Sequence, residues 1–309
     1  MRVEGFYQSC GEGRIHYVRW IPDGPVRAVV QIIHGMAEMI LRYDDFAEYL
    51  CARGYLVTGE DHMGHGQSTC SCQGYFKGGW MSVVNDTMTL FHMTKKEYPD
   101  VPYVFLGHSM GSFLLRTILC RYPGEDYQGA IVSGTGWQPR LGLPVMEKLC
   151  RAVCRKEGET SQTPFLNRLV FGSYNLKVEH RKTEFDWLTR DRKTVEEYLA
   201  SPECGFPITA GMFRDLMMGL QIIEDPDQLK NMDMDRPVLF AAGTMDPVGS
   251  YGKGVKQAAN AFRKAGVKHV SEKYYPLCRH EILNELNREE VYGDFLLWLE
   301  DILFRKEII

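Results

Sequence analysis

Two short runs rich in β-branched and aromatic residues, RIHYVRW (14–20) and RAVVQII (27–33), predict strands. The period then changes. In YDDFAEYLCARG (43–54) the apolar positions Phe46, Ala47, Leu50 and Cys51 fall on one helical face, and Gly54 ends the pattern. YLVTGED (55–61) predicts a short buried strand, and MSVVNDTMTLFHMTKKEY (81–98) a helix stopped by Pro99. YVFLG (103–107) predicts a strand, SFLLRTILCRY (112–122) a helix and GAIVSG (129–134) a further strand. Strand and helix in alternation predict an α/β architecture: a mostly parallel central sheet with helices on both faces.

From about residue 136 to 225 the alternation stops. This stretch carries helical patterns, prolines and charge clusters but no clear strand, and Leu176 to Leu199 is densely charged, as in a solvated helical insertion. Alternation resumes with RPVLFAAG (236–243), a helix over 254–265, KHVSEKYYP (268–276) and a helix over 288–304. The expectation is one core domain formed by 1–135 and 226–309, interrupted by a helical cap over 136–225. No internal repeat and no low-complexity segment is present.

The 309 residues are 44% hydrophobic, enough for one large core plus an insertion. Net charge is -4 with both signs spread along the chain, so no basic block points to nucleic acid. MRVEGFYQSCGEGRIHYVRW lacks the apolar core of a signal peptide, and no window reaches the roughly 18 apolar residues of a membrane span. Nine scattered cysteines fit free thiols in a reducing compartment better than a disulfide framework. A soluble cytoplasmic protein is expected. Nothing in the sequence specifies an oligomeric state.

The candidate chemistry begins at Gly107-His108-Ser109-Met110-Gly111, a G-x-S-x-G pattern between a predicted strand and a predicted helix. A tight turn there forces the serine into an unfavourable backbone conformation, and side chains at 107 and 111 would collide with neighbouring elements. The helix that follows aims backbone N–H groups at the same point. A serine hydroxyl needs a base. In this architecture the acid and base follow the serine in chain order. Asp246 stands just past the strand PVLFAAG, and His280 in the loop past the next one. Asp233, Asp235 and His269 lie at the opposite strand ends. Acyl transfer also needs two fixed N–H donors for the developing oxyanion. The Met110 amide is one candidate. The Met36 amide is the other, in the His34-Gly35-Met36 turn after an early strand.

Together these residues resemble the α/β-hydrolase superfamily. HGMAEMILRYDDFAEYLCARGYLVTGEDHMGHGQS (34–68), GHSMGS, GTMDPVG and RHEILNE are similar to its monoacylglycerol lipase and lysophospholipase branch, grouped with serine aminopeptidases of the S33 type. The resemblance implies a Ser109–His280–Asp246 triad, oxyanion amides at Met36 and Met110, no cofactor, and a cap over an apolar acyl channel. It also implies that Glu38 and Arg42 hold the glycerol end. Pairing of Arg42 to a cap carboxylate is the structural alternative. The substrate implied is a small ester with an apolar acyl chain, and contact with a membrane or micelle would be at most transient and through the cap. Two departures favour a more apolar leaving group or a smaller ester. Met39-Ile40-Leu41 replaces a polar, glycine-containing triplet, and Leu283 stands where mammalian monoacylglycerol lipases carry a histidine.

Other readings are weaker. His62, His65, Cys70 and Cys72 lack a usual zinc spacing, so no metal is expected. Cys150 and Cys154 fit core or surface thiols, and Met36, Met39, Met212, Met217 and Met218 are candidates to line an adaptable pocket. No G-x-G-x-x-G dinucleotide fingerprint follows the first strand. The expected reaction is ester hydrolysis through an acyl-enzyme on Ser109, on a monoacylglycerol or lysophospholipid type of substrate or on a short-chain ester. A prolyl-type amide hydrolase would instead need a carboxylate such as Glu157, Glu159, Glu184 or Asp186 to hold an amine. A binding module on the same fold would not need the three catalytic groups.

Overall fold

The computed structural model of the chain describes residues 1–68 and 71–304. The strands are β1 (Arg2–Gln8), β2 (Arg14–Trp20), β3 (Ala28–Ile33), β4 (Tyr55–Glu60), β5 (Tyr103–His108), β6 (Gly129–Ser133), β7 (Val238–Gly243) and β8 (Val270–Tyr275). They form one eight-stranded sheet in the order β1-β2-β4-β3-β5-β6-β7-β8. β1–β2 and β2–β4 pair antiparallel, and every later pair is parallel. Parallel neighbours send all their carboxyl ends to one edge. The loops after β3, β5, β6, β7 and β8 therefore meet there, where α/β sheets bind ligands.

β3, β4, β5, β6 and β7 are buried at every position, which is why they read as continuous apolar runs. Successive side chains serve opposite faces. Val29 and Ile33 of β3 and Tyr103 and Phe105 of β5 join one core cluster, whereas Val30, Ile32, Val104 and Leu106 join the other. The first cluster is closed by α2 (Trp80–Glu97), α3 (Met110–Arg121) and α9 (Lys253–Ala265), numbering the helices in chain order. The second is closed by α1 (Asp44–Cys51) and α10 (Arg288–Phe304).

Between β6 and β7 lie α4 (Leu143–Glu157), α5 (Pro164–Phe171), α6 (Arg192–Ala200), α7 (Ala210–Ile223) and the short α8 (Pro226–Leu229). No strand of the sheet falls among them. The one β pairing there is an isolated bridge between Gln162 and Thr209. α7 is no solvated arm. Its Phe213, Leu216 and Leu220 belong to the main core, and a side chain at Gly219 would meet the Trp80 indole at 2.3 Å. The charged stretch 176–199 also differs from a solvated helix. Only 192–200 is helical, and Trp187 and Leu188 are buried.

Both ends of this segment are held by one fully buried cation. Arg116 of α3 donates to the Gly136 carbonyl at 3.0 Å and to the Ile223 carbonyl at 3.1 Å. Glu224 accepts from the Gln138 amide at 2.6 Å, while its Oε2 is buried with no hydrogen-bond partner among the described residues. Burial pushes the Glu224 carboxyl up to about 7, against the pull of Gln138 and Arg116.

Two outcomes test this packing. A side chain at Gly111 would meet the Ile33 carbonyl at 2.0 Å, whereas one at Gly124 meets nothing within 4 Å. Gly111→Ala is expected to cost more than about 3 kcal/mol in denaturant unfolding, and Gly124→Ala less than about 0.5 kcal/mol. The folded Glu224 carboxyl holds its proton more tightly than the unfolded one, so its contribution to stability grows as pH falls from above 7 towards 4.5. Glu224→Gln should flatten the pH dependence of Tm over that window and raise Tm at pH 8.

Candidate active site

β5 ends in Gly107-His108 and α3 begins at Met110, which leaves Ser109 as the single residue of the turn. Its backbone sits at φ 54° and ψ -121°, a strained conformation worth roughly 1–3 kcal/mol. Neighbouring packing enforces it. A side chain at 107 would meet the Gly111 carbonyl at 2.5 Å, and one at 111 would enter the end of β3. The Ser109 amide donates to the Ser133 carbonyl of β6 at 3.0 Å, which ties the turn to the next strand. Met110 is the first residue of α3, so its N–H has no acceptor within the helix.

The turn after β3 abuts this serine. A side chain at Gly35 would stand 3.1 Å from the Ser109 Cβ and 2.5 Å from a Glu38 carboxylate oxygen. Glu38 Oε1 accepts from the Gly35 amide at 2.5 Å and from the Tyr43 hydroxyl at 3.0 Å. Among the described residues, no hydrogen bond takes up the Met36 or the Met110 amide. His34 holds the base of the turn. Its Nε2 accepts from the His62 amide at 3.0 Å, so Nδ1 carries the hydrogen and donates to the Gly35 carbonyl at 2.7 Å. Burial and the neighbouring His62 and His65 keep His34 well below the ordinary histidine range.

Asp246 and His280 come from the loops after β7 and β8. His280 Nδ1 faces Asp246 Oδ1 at 3.0 Å, and the same oxygen accepts from the Val248 amide at 2.9 Å. The carboxylate can only accept, so the hydrogen is on Nδ1 and Nε2 presents its lone pair. That Nε2 is buried and has no hydrogen-bond partner among the described residues. Burial opposes the imidazolium, but Asp246 outweighs it, with Glu281 and Glu38 adding, and the His280 pKa lies above its ordinary value. Close packing brings the two loops together, since a side chain at Gly243 would meet the Cys278 and Arg279 carbonyls at 2.1 and 2.2 Å.

Four residues that shape this site were given no role by the sequence. The His280 ring lies between the His108 ring at 4.7 Å and the Trp187 ring at 5.0 Å. Residues 186–190, inside the segment between β6 and β7, are bonded to the histidine loop throughout. The Leu188 carbonyl accepts from the Glu281 amide at 2.7 Å, and Arg279 donates to the Asp186 and Thr189 carbonyls at 2.6 and 2.9 Å. Arg190 pairs with Glu285 at 2.8 Å. Trp187, Arg279, Glu281 and Tyr198 acquire their roles only through the fold. The signals in hindsight are the lone tryptophan in a charged stretch and the glutamate directly after His280.

The partner of Arg42 differs from the cap carboxylate considered above. Its Nη1 donates to Glu38 at 2.8 Å and to Glu281 at 2.6 Å, and its Nη2 donates to the other Glu281 oxygen at 2.6 Å. Glu281 belongs to the loop after β8, not to the inserted segment. The Tyr198 ring of α6 stacks on the guanidinium at 4.8 Å, and its hydroxyl donates to the Ala37 carbonyl. Burial works to raise Glu281, but Arg42 overrides it and holds the carboxyl well below the usual range. Burial raises Glu38, and the nearby Glu281 charge adds to that against Arg42.

A cavity of about 880 Å³ opens over the serine. Ser109, His280, Met36, Met110, Glu38 and Glu281 are among the residues that line it. Phe113, Phe171, Phe206, Ile208, Leu216 and Val248 supply much of the apolar wall. Arg42 does not line it. Of the other methionines considered, Met212 and Met217 are packed in the core, and Met39 and Met218 do not reach the cavity. Among the described residues no group of three could hold a metal. One ring nitrogen each of His62 and His65 faces the His34 and Met63 carbonyls, and Cys70 lies outside the described residues. The described cysteines are free thiols, with Cys150 buried in α4 and Cys154 half-buried beside it. No helix of the described residues is long and apolar enough to cross a membrane.

Sheet order, a strained serine between β5 and α3, and a histidine–aspartate pair at the same sheet edge define the fold as that of an α/β-hydrolase. A family model for serine aminopeptidase, S33, matches residues 24–287, and the chain belongs to that family. It is similar to a monoacylglycerol lipase of Mycolicibacterium smegmatis, 29% identical over 304 residues, covering 96% of this chain and 97% of that protein. Monoglyceride lipase of Mus musculus is 35% identical over 104 residues, 34% of each chain. Among solved structures, a carboxyl esterase from Bacillus coagulans superposes with a TM-score of 0.91 at 26% identity, over 98% of this chain and 99% of that one. Monoglyceride lipase of Saccharomyces cerevisiae shares the fold, with a TM-score of 0.77 at 18% identity over 97% and 96% of the two chains. The chain is thus an α/β-hydrolase of the monoacylglycerol lipase and carboxylesterase type.

Removing Arg279 tests the bonding between the two loops. Arg279→Ala should lower stability by about 1–3 kcal/mol in denaturant unfolding. It should also broaden the proton NMR resonance of His280 Nδ1–H, which a loss of stability elsewhere would leave sharp.

Proposed function

We propose that the chain hydrolyses carboxylic esters of monoacyl lipids through an acyl-enzyme on Ser109. The observation that carries this reading is the buried, partnerless Nε2 of His280, set by Asp246 and lining one cavity with Ser109. Ser109 Oγ attacks the ester carbonyl, and His280 Nε2 takes its proton. Asp246 holds the tautomer and stabilises the imidazolium. The amides of Met36 and Met110 receive the oxyanion. His280 then gives the proton to the departing alcohol, and a water activated by the same nitrogen releases the acid. No cofactor takes part.

The cavity size falls within the range of small-molecule sites, and its apolar wall suits an acyl chain. The relatives' names support the ester class, and the Bacillus coagulans esterase is a complex with glycerol. We assign 1–135 and 226–309 to the chemistry and 136–225 to a cap that sets chain length and excludes water. Glu38 faces the alcohol end from the cavity wall, and Arg42 acts on it from behind. A second reading, cleavage of a prolyl-type amide, draws on the family description and on Glu184, which lines the cavity. The other carboxylates considered for that role are otherwise engaged or do not line the cavity. Glu159 is bound by Tyr75 and Arg214, Asp186 is bound by Thr183 and Arg192, and Glu157 does not line it.

Steady-state hydrolysis of monoacylglycerols of several lengths, a lysophospholipid, short p-nitrophenyl esters and a prolyl amide tests the reading. Long-chain monoacyl esters should give the highest kcat/KM, and Ser109→Ala should lower kcat at least about 10³-fold. Turnover of the amide alone would favour the second reading. The acid limb of kcat/KM should lie above pH 6.5, with activity rising as His280 loses its proton.

A further inference from the structure

The two groups that act on opposite ends of the carbonyl stand on different loops. The oxyanion turn follows β3, and His280 follows β8 at the far edge of the sheet. One buried cation joins them. Arg42 grips both oxygens of Glu281, the residue after His280, and at the same time an oxygen of Glu38. Glu38 in turn accepts from the Gly35 amide, which orients the turn that carries Met36. All three side chains are at least nine-tenths buried, so the bridge is little screened by solvent.

We propose that Glu281 is a positioning residue that, through Arg42 and Glu38, fixes the His280 loop relative to the oxyanion turn. This rests on the hydrolytic reading of Ser109 and His280 above. Glu281 is a better positioner than a spectator for geometric reasons. Its backbone amide is already fixed by the Leu188 carbonyl, so the side chain is not needed to hold its own loop. Asn284 adds a further donor to Glu281 Oε2 at 3.2 Å, which fixes the carboxylate plane. The bidentate fork transmits orientation as well as charge, which a lysine could not do.

His280 is faced by charged and titratable groups from several elements. Asp246 is on the loop after β7, and Glu38 and Arg42 belong to the stretch after β3. His108 is on β5, and Trp187 with Tyr174 behind it comes from the inserted segment. Glu281 and Arg279 are its own loop neighbours. Removing the Glu281 charge lowers the His280 pKa, while breaking the fork displaces the loop. These effects can be separated.

The test uses the full chain and a fluorophosphonate to titrate reactive Ser109, so that rates are per active site. Glu281→Gln should lower kcat by roughly 10- to 100-fold with KM within twofold, and move the acid limb of kcat/KM to lower pH. Arg42→Lys keeps a cation and the Glu281 charge but loses the fork, so kcat should fall similarly. Glu281→Asp, with a shorter reach, should fall between wild type and Glu281→Gln. If Glu281→Gln and Arg42→Lys both keep kcat within twofold of wild type per titrated site, the proposal is overturned and the hydrolytic reading stands. If a variant folds poorly, loss confined to the titrated fraction with unchanged kcat per site also overturns it. Wild-type protein that the probe does not label at Ser109 would overturn the hydrolytic reading itself.

Discussion

Everything at this sheet edge depends on how closely the first turn of α3 is driven into the end of β3. Gly111 lies so near the Ile33 carbonyl that any side chain would collide with backbone. That contact fixes where α3 starts, and so forces Ser109 into its positive φ between β5 and the helix. It also sets the distance from the serine to the Gly35 turn. The strain is tolerated because the surroundings overdetermine it: the Ser133 carbonyl of β6 takes the serine amide, and the helix holds the following residues.

A second layer of constraint is electrostatic. Three buried histidines, His34, His62 and His65, cluster at the turn after β3, with His34 and His62 ring centroids 4.0 Å apart. His34 and His65 serve as shaped hydrogen-bonding blocks, not as charges, because burial and the neighbouring imidazoles keep both neutral. Arg42 sits between Glu38 and Glu281, where two carboxylates make one buried guanidinium tolerable. The turn is thus held by neutral His34 on one side and by a charged clasp through Glu38 on the other.

The parallel core was legible because its strands are buried on both faces and read as unbroken apolar runs. Ser109, Asp246 and His280 were legible because topology dictates which strand ends can meet. β1 was not, since most of RVEGFYQ is exposed at the sheet edge and has no apolar periodicity to detect. Glu281 and Arg42 show why side-chain partners escape such a reading. They are 239 positions apart, and only folding makes Arg42 choose Glu281 over a carboxylate of the insertion. The charged run 176–199 misleads for the same reason, because charges spent on Glu285, on Asp186 and on a backbone amide look identical in sequence to charges in water.

The bonding of residues 186–190 to the histidine loop also bears on how such enzymes diversify. An insertion is usually imagined as an exchangeable accessory, free to drift while the core is preserved. Here the accessory contributes the aromatic face against which the histidine rests and the carbonyls that hold its loop. Exchange of the entire insertion between relatives would thus carry off part of the core's own geometry. By its bonding, the stretch from Asp186 to Arg190 belongs with the histidine loop as much as with the insertion that carries it.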